Sequence, residues 1–312
     1  MLIKLPDIKN ASFSEVHVGS RKRLATASGC TFLSKNTLAI LNLVSQRIYI
    51  IKADIENRRI EYIDSIETTF DGKLCPSDLL SSSNDIIAVT NFDRSISLYK
   101  YSNNKLSRYR EFAFPDLGYC HGIKFYTDNI ICFTTMQLVD VICFFDIHAK
   151  SMLYTMDFHV PGPKDICFLS KSRLVAIYTT KPPSPHKPYE LSDSKVLLIE
   201  FDLERKSSSV LSEFTIPQSQ VDGCDKIGNL VYITVSQENM DSLYVLDTSN
   251  DRLRFHDLIE GFRIPHGIST FGHLLAVTNY IDNTVRIIDT RDNTFRNRVL
   301  SDEPAYTFKM PD

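Results

Sequence analysis

Four side chains capable of acid–base or metal chemistry recur at similar intervals along the chain. They are His121, Lys164, Asp222 and His266, separated by 43, 58 and 44 residues. Imidazole and carboxylate groups are ligands for zinc and related metal ions. Imidazole is also well suited to general acid–base catalysis near neutral pH, and a lysine with two histidines suits recognition of an anionic group. Which chemistry is available depends on the fold that brings these side chains together.

These residues open successive copies of a sequence repeat. Each copy starts with a short step and an aliphatic residue or cysteine, and two further apolar runs follow. The clearest copy spans 265–290, with apolar runs at 268–270, 274–278 and 285–288. The six openings are Ser28-Gly29-Cys30, Ser77-Asp78-Leu79, His121-Gly122-Ile123, Lys164-Asp165-Ile166, Asp222-Gly223-Cys224 and His266-Gly267-Ile268.

The apolar runs predict short β-strands, because they are too short and too rich in β-branched and aromatic residues for helices. A fourth, more polar run closes most copies. Six units of four strands predict an all-β, six-bladed β-propeller with four antiparallel strands per blade, formed by residues 1–312 as one domain. We expect residues 1–26 to supply a strand that joins the last blade and closes the ring. A seventh blade would have to be assembled from residues 1–26 and 300–312.

The most regular copy carries a resemblance to a known repeat. The segment AVTNYIDNTVRIIDT at 276–290 is similar to the YVTN-type β-propeller repeat, in which a Val-Thr-Asn run leads through a polar turn into a strand ending on Ile-Asp. The match is fair at 88–92 and degenerate elsewhere. The resemblance implies a propeller of the YVTN, NHL and gluconolactonase-like superfamily. Such propellers include lactonases, lyases, quinoprotein-like proteins and purely interacting proteins, so no single function is implied.

Propeller topology predicts where the opening residues lie. The innermost strand of a blade runs along the central channel and the second strand returns, so the start of the first and the end of the second meet at one channel mouth. The first set of side chains expected there is Ser28, Ser77, His121, Lys164, Asp222 and His266. The second set is Asn42, Asn91, Thr135, Thr179, Val235 and Asn279.

Three chemistries are open for the first set. His121 and His266 are three blades apart and are expected to face each other across the axis. A divalent metal would be held by His121, His266 and Asp222. An acid–base site would use the histidines, with Lys164 and Asp222 tuning their pKa, and an anion site would use Lys164 with the histidines. The alternative is that these side chains have only a structural role. A water-filled channel is polar in any case, and opposite blades share a metal only if the channel between them is narrow.

A long insertion is predicted on the same face. The fourth copy needs 38 residues from its opener to the aspartate that ends its third run, where the third, fifth and sixth copies need 25, 25 and 23. The excess is segment 181–194, whose four prolines favour an extended, stiff conformation. His186 and Tyr189 on it are expected to reach toward the axis as part of a lid or docking arm. A tolerated surface insertion is the alternative.

Composition narrows the classes of partner and compartment. The net charge is −3 without a block of like charge, which gives no support for nucleic-acid or anionic-membrane binding. We expect no secretion signal and no membrane-spanning run. The seven cysteines form no CxxC pair, and Cys30 and Cys224 stand where other copies have aliphatic residues. They predict small buried side chains in a reducing, cytoplasmic protein.

Two functions remain open at this stage. The first is a small-molecule binder or an enzyme of lactonase, lyase or cyclase type, acting on a small polar or anionic compound at the axial mouth. The catalytic groups would be His121, His266, Asp222 and Lys164, and any cofactor would be a divalent metal. The second is a non-catalytic propeller that presents its blade tops to a protein partner. A closed pocket favours the first, and an open apolar mouth favours the second.

Overall fold

The computed structural model describes residues 2–4, 15–18, 21–24, 27–54, 57, 59–75, 77–179, 191–281, 283–291 and 307–308. These residues form β-strands throughout, with one 3₁₀ turn at Ser249–Asp251 as the only helical element in the described ranges. No helix in that part of the chain is long and apolar enough to cross a membrane. The predicted all-β class is confirmed.

Three antiparallel four-stranded sheets make up the first half of the chain. They are preceded by the short strands β1 (Leu2–Lys4), β2 (Glu15–Val18) and β3 (Arg21–Leu24). The first sheet contains β4 (Ala27–Ser34), β5 (Thr37–Asn42), β6 (Arg47–Asp54) and β7 (Arg59–Glu67), and a hairpin of β8 (Thr69–Phe70) and β9 (Lys73–Leu74) follows it. The second contains β10 (Ser77–Ser83), β11 (Ile86–Asn91), β12 (Ser95–Ser102) and β13 (Lys105–Ala113). The third contains β14 (Tyr119–Thr127), β15 (Ile130–Met136), β16 (Val141–Asp146) and β17 (Ser151–Met156).

The fourth and fifth copies of the repeat share one seven-stranded sheet, which differs from the separate sheets that the repeat predicts. Its strands are β18 (Pro163–Ser170), β19 (Arg173–Thr179), β20 (Ser192–Asp202), β21 (Ser207–Ile227), β22 (Leu230–Ser236), β23 (Asp241–Asp247) and β24 (Arg254–Glu260). Strand β21 pairs with β20 as far as Ser219 and with β22 from Gln220 onward. The change of partner needs only a local kink, where Gln218 has a φ of 44°.

The sixth copy forms the last sheet together with the chain ends. Its strands are β25 (Pro265–Phe271), β26 (Leu274–Asn279) and β27 (Thr284–Asp289). Strand β1 pairs antiparallel with β27, which is the position expected of a closing strand, and β28 (Thr307–Phe308) lies parallel to β1. We call each copy of the repeat, with its strands, a repeat unit.

The first strands of the repeat units form a closed ring. Strands β4, β10, β14, β18, the second part of β21 and β25 lie against one another in this order, and β25 lies against β4. We call them the inner strands. Apolar side chains fill the space between neighbouring sheets, and one cluster joins Cys30 and Tyr49 of the first sheet to Leu274 and Val285 of the last. This is the architecture of a β-propeller, as the repeat predicts.

The cysteines belong to these apolar layers. Cys30 and Cys224 are buried, as their positions in the repeat predict, and the other five are buried as well. Burial raises the pKa of the Cys30 thiol to about 12, so the thiol stays protonated and behaves as a small apolar group.

A buried threonine near the end of the second strand ties neighbouring inner strands together. Thr278 Oγ1 accepts a hydrogen bond from Gly267 N of its own unit at 2.7 Å and donates one to Ser28 O of the next unit at 2.9 Å. The same pair of bonds is made by Thr90, Thr134, Thr234 and Thr278, which we call the stapling threonines. The threonine of the Val-Thr-Asn motif therefore has a structural role.

Removing one stapling hydroxyl is expected to weaken the ring. In Thr134→Val, Gly122 N loses its acceptor at 2.8 Å and is left without a partner, which costs about 1–3 kcal/mol for a buried polar group. Lys164 O loses its bond of 2.9 Å from Thr134 and keeps the one from His121 Nδ1. The midpoint of urea unfolding measures the loss. Thr135→Val is the matched control, because its Oγ1 donates a single bond to Val139 O within one turn. A variant Thr134→Val no less stable than Thr135→Val would contradict the role of the staple.

Candidate functional site

A β-bulge in each inner strand turns one side chain toward the axis. In the third unit Cys120 pairs with Thr135 and Ile123 with Phe133, so two inner residues oppose the single Thr134. The same shift of register occurs in the second, fifth and sixth units, and a smaller one surrounds Ser28 and Lys164. Bulges re-aim side chains in this way. The residues at this position, which we call the axial set, are Ser28, Asp78, His121, Lys164, Asp222 and His266.

The structure places Asp78, not Ser77, at the axis in the second unit. The Ser77 hydroxyl donates to Asn91 Oδ1 at 2.7 Å, within its own sheet. The sequence does contain a signal for Asp78: eight residues separate Asp222 from Leu230 and His266 from Leu274, and counting eight back from Ile86 reaches Asp78. Glycine follows His121, Asp222 and His266, but Leu79 follows Asp78, so the equivalence of Asp78 is hard to recognise from the sequence.

Each axial histidine is oriented by the backbone of the next unit. His121 Nδ1 donates to Lys164 O and His266 Nδ1 donates to Ser28 O, both at 2.8 Å. This arrangement directs both Nε2 atoms toward the axis. The two rings are 5.7 Å apart between centroids, so the predicted facing pair is present and the channel is narrower than the sequence suggested.

The remaining members of the axial set form a buried charge network. Lys164 Nζ lies 3.2 Å from Asp222 Oδ1 and 3.2 Å from His121 Nε2. Asp78 Oδ2 lies 3.2 Å from His121 Nε2, and Asp78 Oδ1 lies 3.4 Å from His266 Nε2. Asp78, Lys164 and Asp222 are only 2%, 6% and 1% exposed. Charges buried to this extent are stable only when they are paired or hydrogen-bonded.

Two polar neighbours of the axial set were not predicted. The Tyr119 hydroxyl donates a short hydrogen bond to Asp78 Oδ2, and Gln220 Nε2 donates to Asp222 Oδ2 at 3.2 Å. Each stands two residues before an opener, His121 or Asp222. Because side chains two apart in a strand share one side, that spacing could have identified both residues.

The pKa shifts follow from burial and from the position of the lysine. Burial raises the pKa of Asp78, against the hydrogen bond from Tyr119 and nearby positive charge. Burial and then the adjacent Lys164 hold the pKa of His121 well below its ordinary value. Burial alone would raise the pKa of Asp222, but Lys164 lowers it below the usual value. The network therefore contains an ionised Lys164–Asp222 pair and a neutral His121.

An apolar and aromatic cluster lies at the mouth-side strand ends of the first and last units and reaches His266. Leu43, Ile264 and Tyr280 form a buried cluster, and Leu191 packs against it. Tyr280 also meets the His266 ring edge-on at 4.3 Å between centroids. We call these four residues the roof. All six residues of the axial set are buried, and Tyr280 covers one side of the His266 ring.

The second predicted set does not join the axial set. Asn91 Nδ2 donates to Ser95 Oγ and Ser97 Oγ at 2.9 Å, and Asn279 Nδ2 donates to Thr284 Oγ1 at 3.1 Å, within the turn that follows each second strand. Thr135 bonds Val139 O of its own turn. Asn42 Nδ2 donates to Asn283 Oδ1 at 2.9 Å and so bridges the first and last units. These groups brace turns and the ring closure. Among the remaining members, Thr179 Oγ1 donates to Val221 O at 3.1 Å, and Val235 is part of an apolar cluster.

His186 and Tyr189 lie outside the described residues, as does 181–190 of the predicted insertion. Its last residues are described, with Leu191 at the roof and Ser192–Ser194 beginning β20. The end of the insertion therefore contacts the roof through Leu191.

Comparison with known proteins supports the fold alone. No protein-family profile and no curated protein sequence matches the chain. The β-propeller domain of Cps50 (Swd1) from Myceliophteria thermophila is similar, with a TM-score of 0.56 and 11% identity over 90% of this chain and 99% of that one. A chain of the Mitotic Checkpoint Complex is similar at a TM-score of 0.55 and 11% identity, over 81% of this chain and 73% of that one. The chain shares the β-propeller fold with these proteins.

Proposed function

We propose that the protein is a non-catalytic propeller that binds a protein partner on its mouth face. The observation that carries this proposal is the state of the axial set. His121 and His266 are 0% and 4% exposed, and their ring Nδ1 atoms are occupied by backbone carbonyls. The roof contacts His266 through Tyr280. A substrate would have to enter a buried site before touching either imidazole.

The similar structures support an interaction role. One of them was solved as part of a complex, the Mitotic Checkpoint Complex, and the other is a propeller domain. Propellers host many unrelated functions, so this likeness adds to the argument from the buried axis and does not replace it.

The mouth face offers apolar side chains for such a partner. Leu138 and Val139 lie between β15 and β16 and are 59% and 37% exposed. Phe92 lies between β11 and β12, is 37% exposed and stacks on Tyr119 at 4.7 Å. We call Phe92, Leu138 and Val139 the mouth patch. Exposed aromatic and aliphatic groups supply the central contacts of protein interfaces.

The test compares a double charged substitution in the mouth patch with a single charged substitution elsewhere, for binding of the same partner. Partners captured by the wild-type protein are identified, and the affinity of each purified partner is measured by titration. The double variant Leu138→Asp/Val139→Asp is expected to lose at least tenfold in affinity. Phe255→Asp is the matched control, because Phe255 is 54% exposed on β24 and lies on the outer strand of another unit. Equal affinity of the mouth variant and the control would overturn the proposal.

A second candidate function is a small-molecule site or a hydrolase- or lyase-type enzyme at the axis. The observation in its favour is the convergence of His121, Asp78 and Asp222, whose pKa values are all displaced. In this reading His186 and Tyr189 belong to a lid, and the ligand is a small polar or anionic compound. Turnover, or a thermal shift by such a compound that His266→Asn abolishes, would favour it over protein binding.

The same proposal includes the finer description of the fold. Six blades are supported by the ring of inner strands, with β21 serving two blades and β1 completing the last. Membership of the YVTN, NHL and gluconolactonase-like superfamily rests on the motif at 276–290. A single domain over residues 1–312 and a cytoplasmic location rest on the repeat and the buried thiols.

A further inference from the structure

A buried carboxylate oxygen and an imidazole nitrogen face each other at the axis. Asp78 Oδ1 is buried and has no hydrogen-bond partner, and it lies 3.4 Å from His266 Nε2. His266 Nδ1 donates a hydrogen bond to Ser28 O, which directs Nε2 toward Asp78. A metal cation held between these two atoms would give the buried carboxylate oxygen the partner that it lacks.

The positions of these acceptors match the ligands of a transition metal. One atom each of Asp78, His121 and His266 lie within 4.8 Å of one another. Asp78 Oδ2 is 3.2 Å from His121 Nε2, and the other carboxylate oxygen, Oδ1, is 3.4 Å from His266 Nε2. These separations are close to the ~3.3 Å between ligands in a tetrahedral site with bonds of about 2.0–2.1 Å.

The outer contacts of the ligands have the form found around metal sites. Both histidines donate Nδ1–H to a backbone carbonyl, which fixes the tautomer and orients Nε2. The Tyr119 hydroxyl donates to Asp78 and so orients that carboxylate. We propose that Asp78, His121 and His266 hold a divalent transition metal of the zinc type, which ties the inner strands of the second, third and sixth units together at the axis.

Asp222, the carboxylate expected from the sequence, has another role in this arrangement. It already accepts hydrogen bonds from Lys164 and Gln220, and its Oδ1 is 3.8 and 3.7 Å from the two Nε2 atoms. Asp222 therefore stands outside the ligand triad and neutralises Lys164. The ammonium of Lys164 gives up its contact with His121 Nε2 when the metal takes that lone pair, and it keeps the ion pair with Asp222.

The test uses untagged, full-length protein that has been dialysed against a chelator and then titrated with Zn²⁺ or Co²⁺. We expect one ion per chain, visible ligand-field absorption of tetrahedral Co²⁺, and a raised unfolding temperature with the metal. His121→Asn and His266→Asn keep an amide N–H near the position of Nδ1 but have no atom at Nε2. Each is expected to weaken metal binding by at least tenfold, and Asp78→Asn likewise.

Asp165→Asn is the matched control. Asp165 is a second buried aspartate of an inner strand, 2% exposed and 3.7 Å from Lys124, and it lies outside the triad. It is expected to bind the metal with the stoichiometry of the wild-type protein. Wild-type protein that takes up neither ion, or His→Asn variants that bind as tightly as the wild type, would overturn the site. If Asp78→Asn fails to fold, the wild type and the histidine variants still decide. Metal uptake does not depend on the mouth patch, so Leu138→Asp/Val139→Asp is expected to leave it unchanged.

Discussion

Replacing Lys164 with methionine is expected to destabilise the protein by about 3–5 kcal/mol, the usual cost of removing one partner of a buried ion pair. Methionine keeps most of the apolar stem of lysine but removes the ammonium that lies 3.2 Å from Asp222 Oδ1. Asp222 is 1% exposed, so solvent does not replace the lost charge. The carboxylate is then left ionised and unpaired, or takes up a proton at a cost in free energy.

Urea unfolding in the presence of a chelator measures this change without a contribution from metal binding. Lys100→Met is the control, because Lys100 Nζ is as close as 3.0 Å to Asp85 but the two side chains are 47% and 44% exposed. Its loss is expected to stay below about 1 kcal/mol, as for other surface pairs. The double variant Lys164→Met/Asp222→Leu is expected to recover part of the stability, since no charge is left unpaired. Similar losses for Lys164→Met and Lys100→Met would mean that the axial charges are hydrated.

The second large effect is expected where the ring closes. Gly267 of the last unit lies against the first unit, and a Cβ built on it would stand 2.6 Å from Gly29 Cα and 2.6 Å from Ser28 O. Both obstacles are backbone atoms, so Gly267→Ala forces the first and last inner strands apart. We expect a loss of about 3 kcal/mol or more, at the upper end of the range for overpacked sites. The midpoint and slope of urea unfolding report it.

Gly272→Ala separates this packing effect from the ordinary cost of replacing glycine. Gly272 has a φ of +60° and nothing within 4 Å of a Cβ, so alanine there meets only the backbone penalty of about 1–2 kcal/mol. If Gly267→Ala costs no more than Gly272→Ala, the two inner strands can separate without loss and the ring is not closed by close packing.

Most of the fold could be predicted from the sequence repeat. Runs of β-branched residues at regular intervals predict the strands, because burial between neighbouring sheets selects such side chains. The shared strand β21 was not foreseen, although Pro217, which cannot donate to a strand ladder, stands directly before the kink at Gln218. A change of pairing partner depends on the neighbouring sheet, which a local pattern does not contain.

The axial set was predicted in part. His121, Lys164, Asp222 and His266 do converge, because equivalent positions of a closed ring are brought to one axis. Asp78 was missed by one residue, and in a strand a shift of one residue moves a side chain to the opposite face. The roof was not foreseen either, since its apolar side chains come from three separate turns and from the end of the insertion.

The asparagines show a different limit of the sequence argument. Asn91 and Asn279 are polar and lie at the predicted end of the second strand, yet their amides serve the following turn. Asparagine is favoured in turns for that reason. A polar residue at the right end of a strand therefore predicts a turn as readily as a binding site.

Strand β21 links the outer edge of the propeller to its axis. The strand begins on the outer edge of the fourth unit, where it pairs only with β20, and its second part carries Asp222 at the axis. Turns or loops join the other units, whereas one continuous strand joins the fourth and fifth units and runs from the outer edge of the propeller to its axis. A protein that adds a strand to that outer edge would pair with β21, the same strand that carries Asp222. A displacement of the outer edge of the fourth unit would therefore be transmitted along β21 to Asp222.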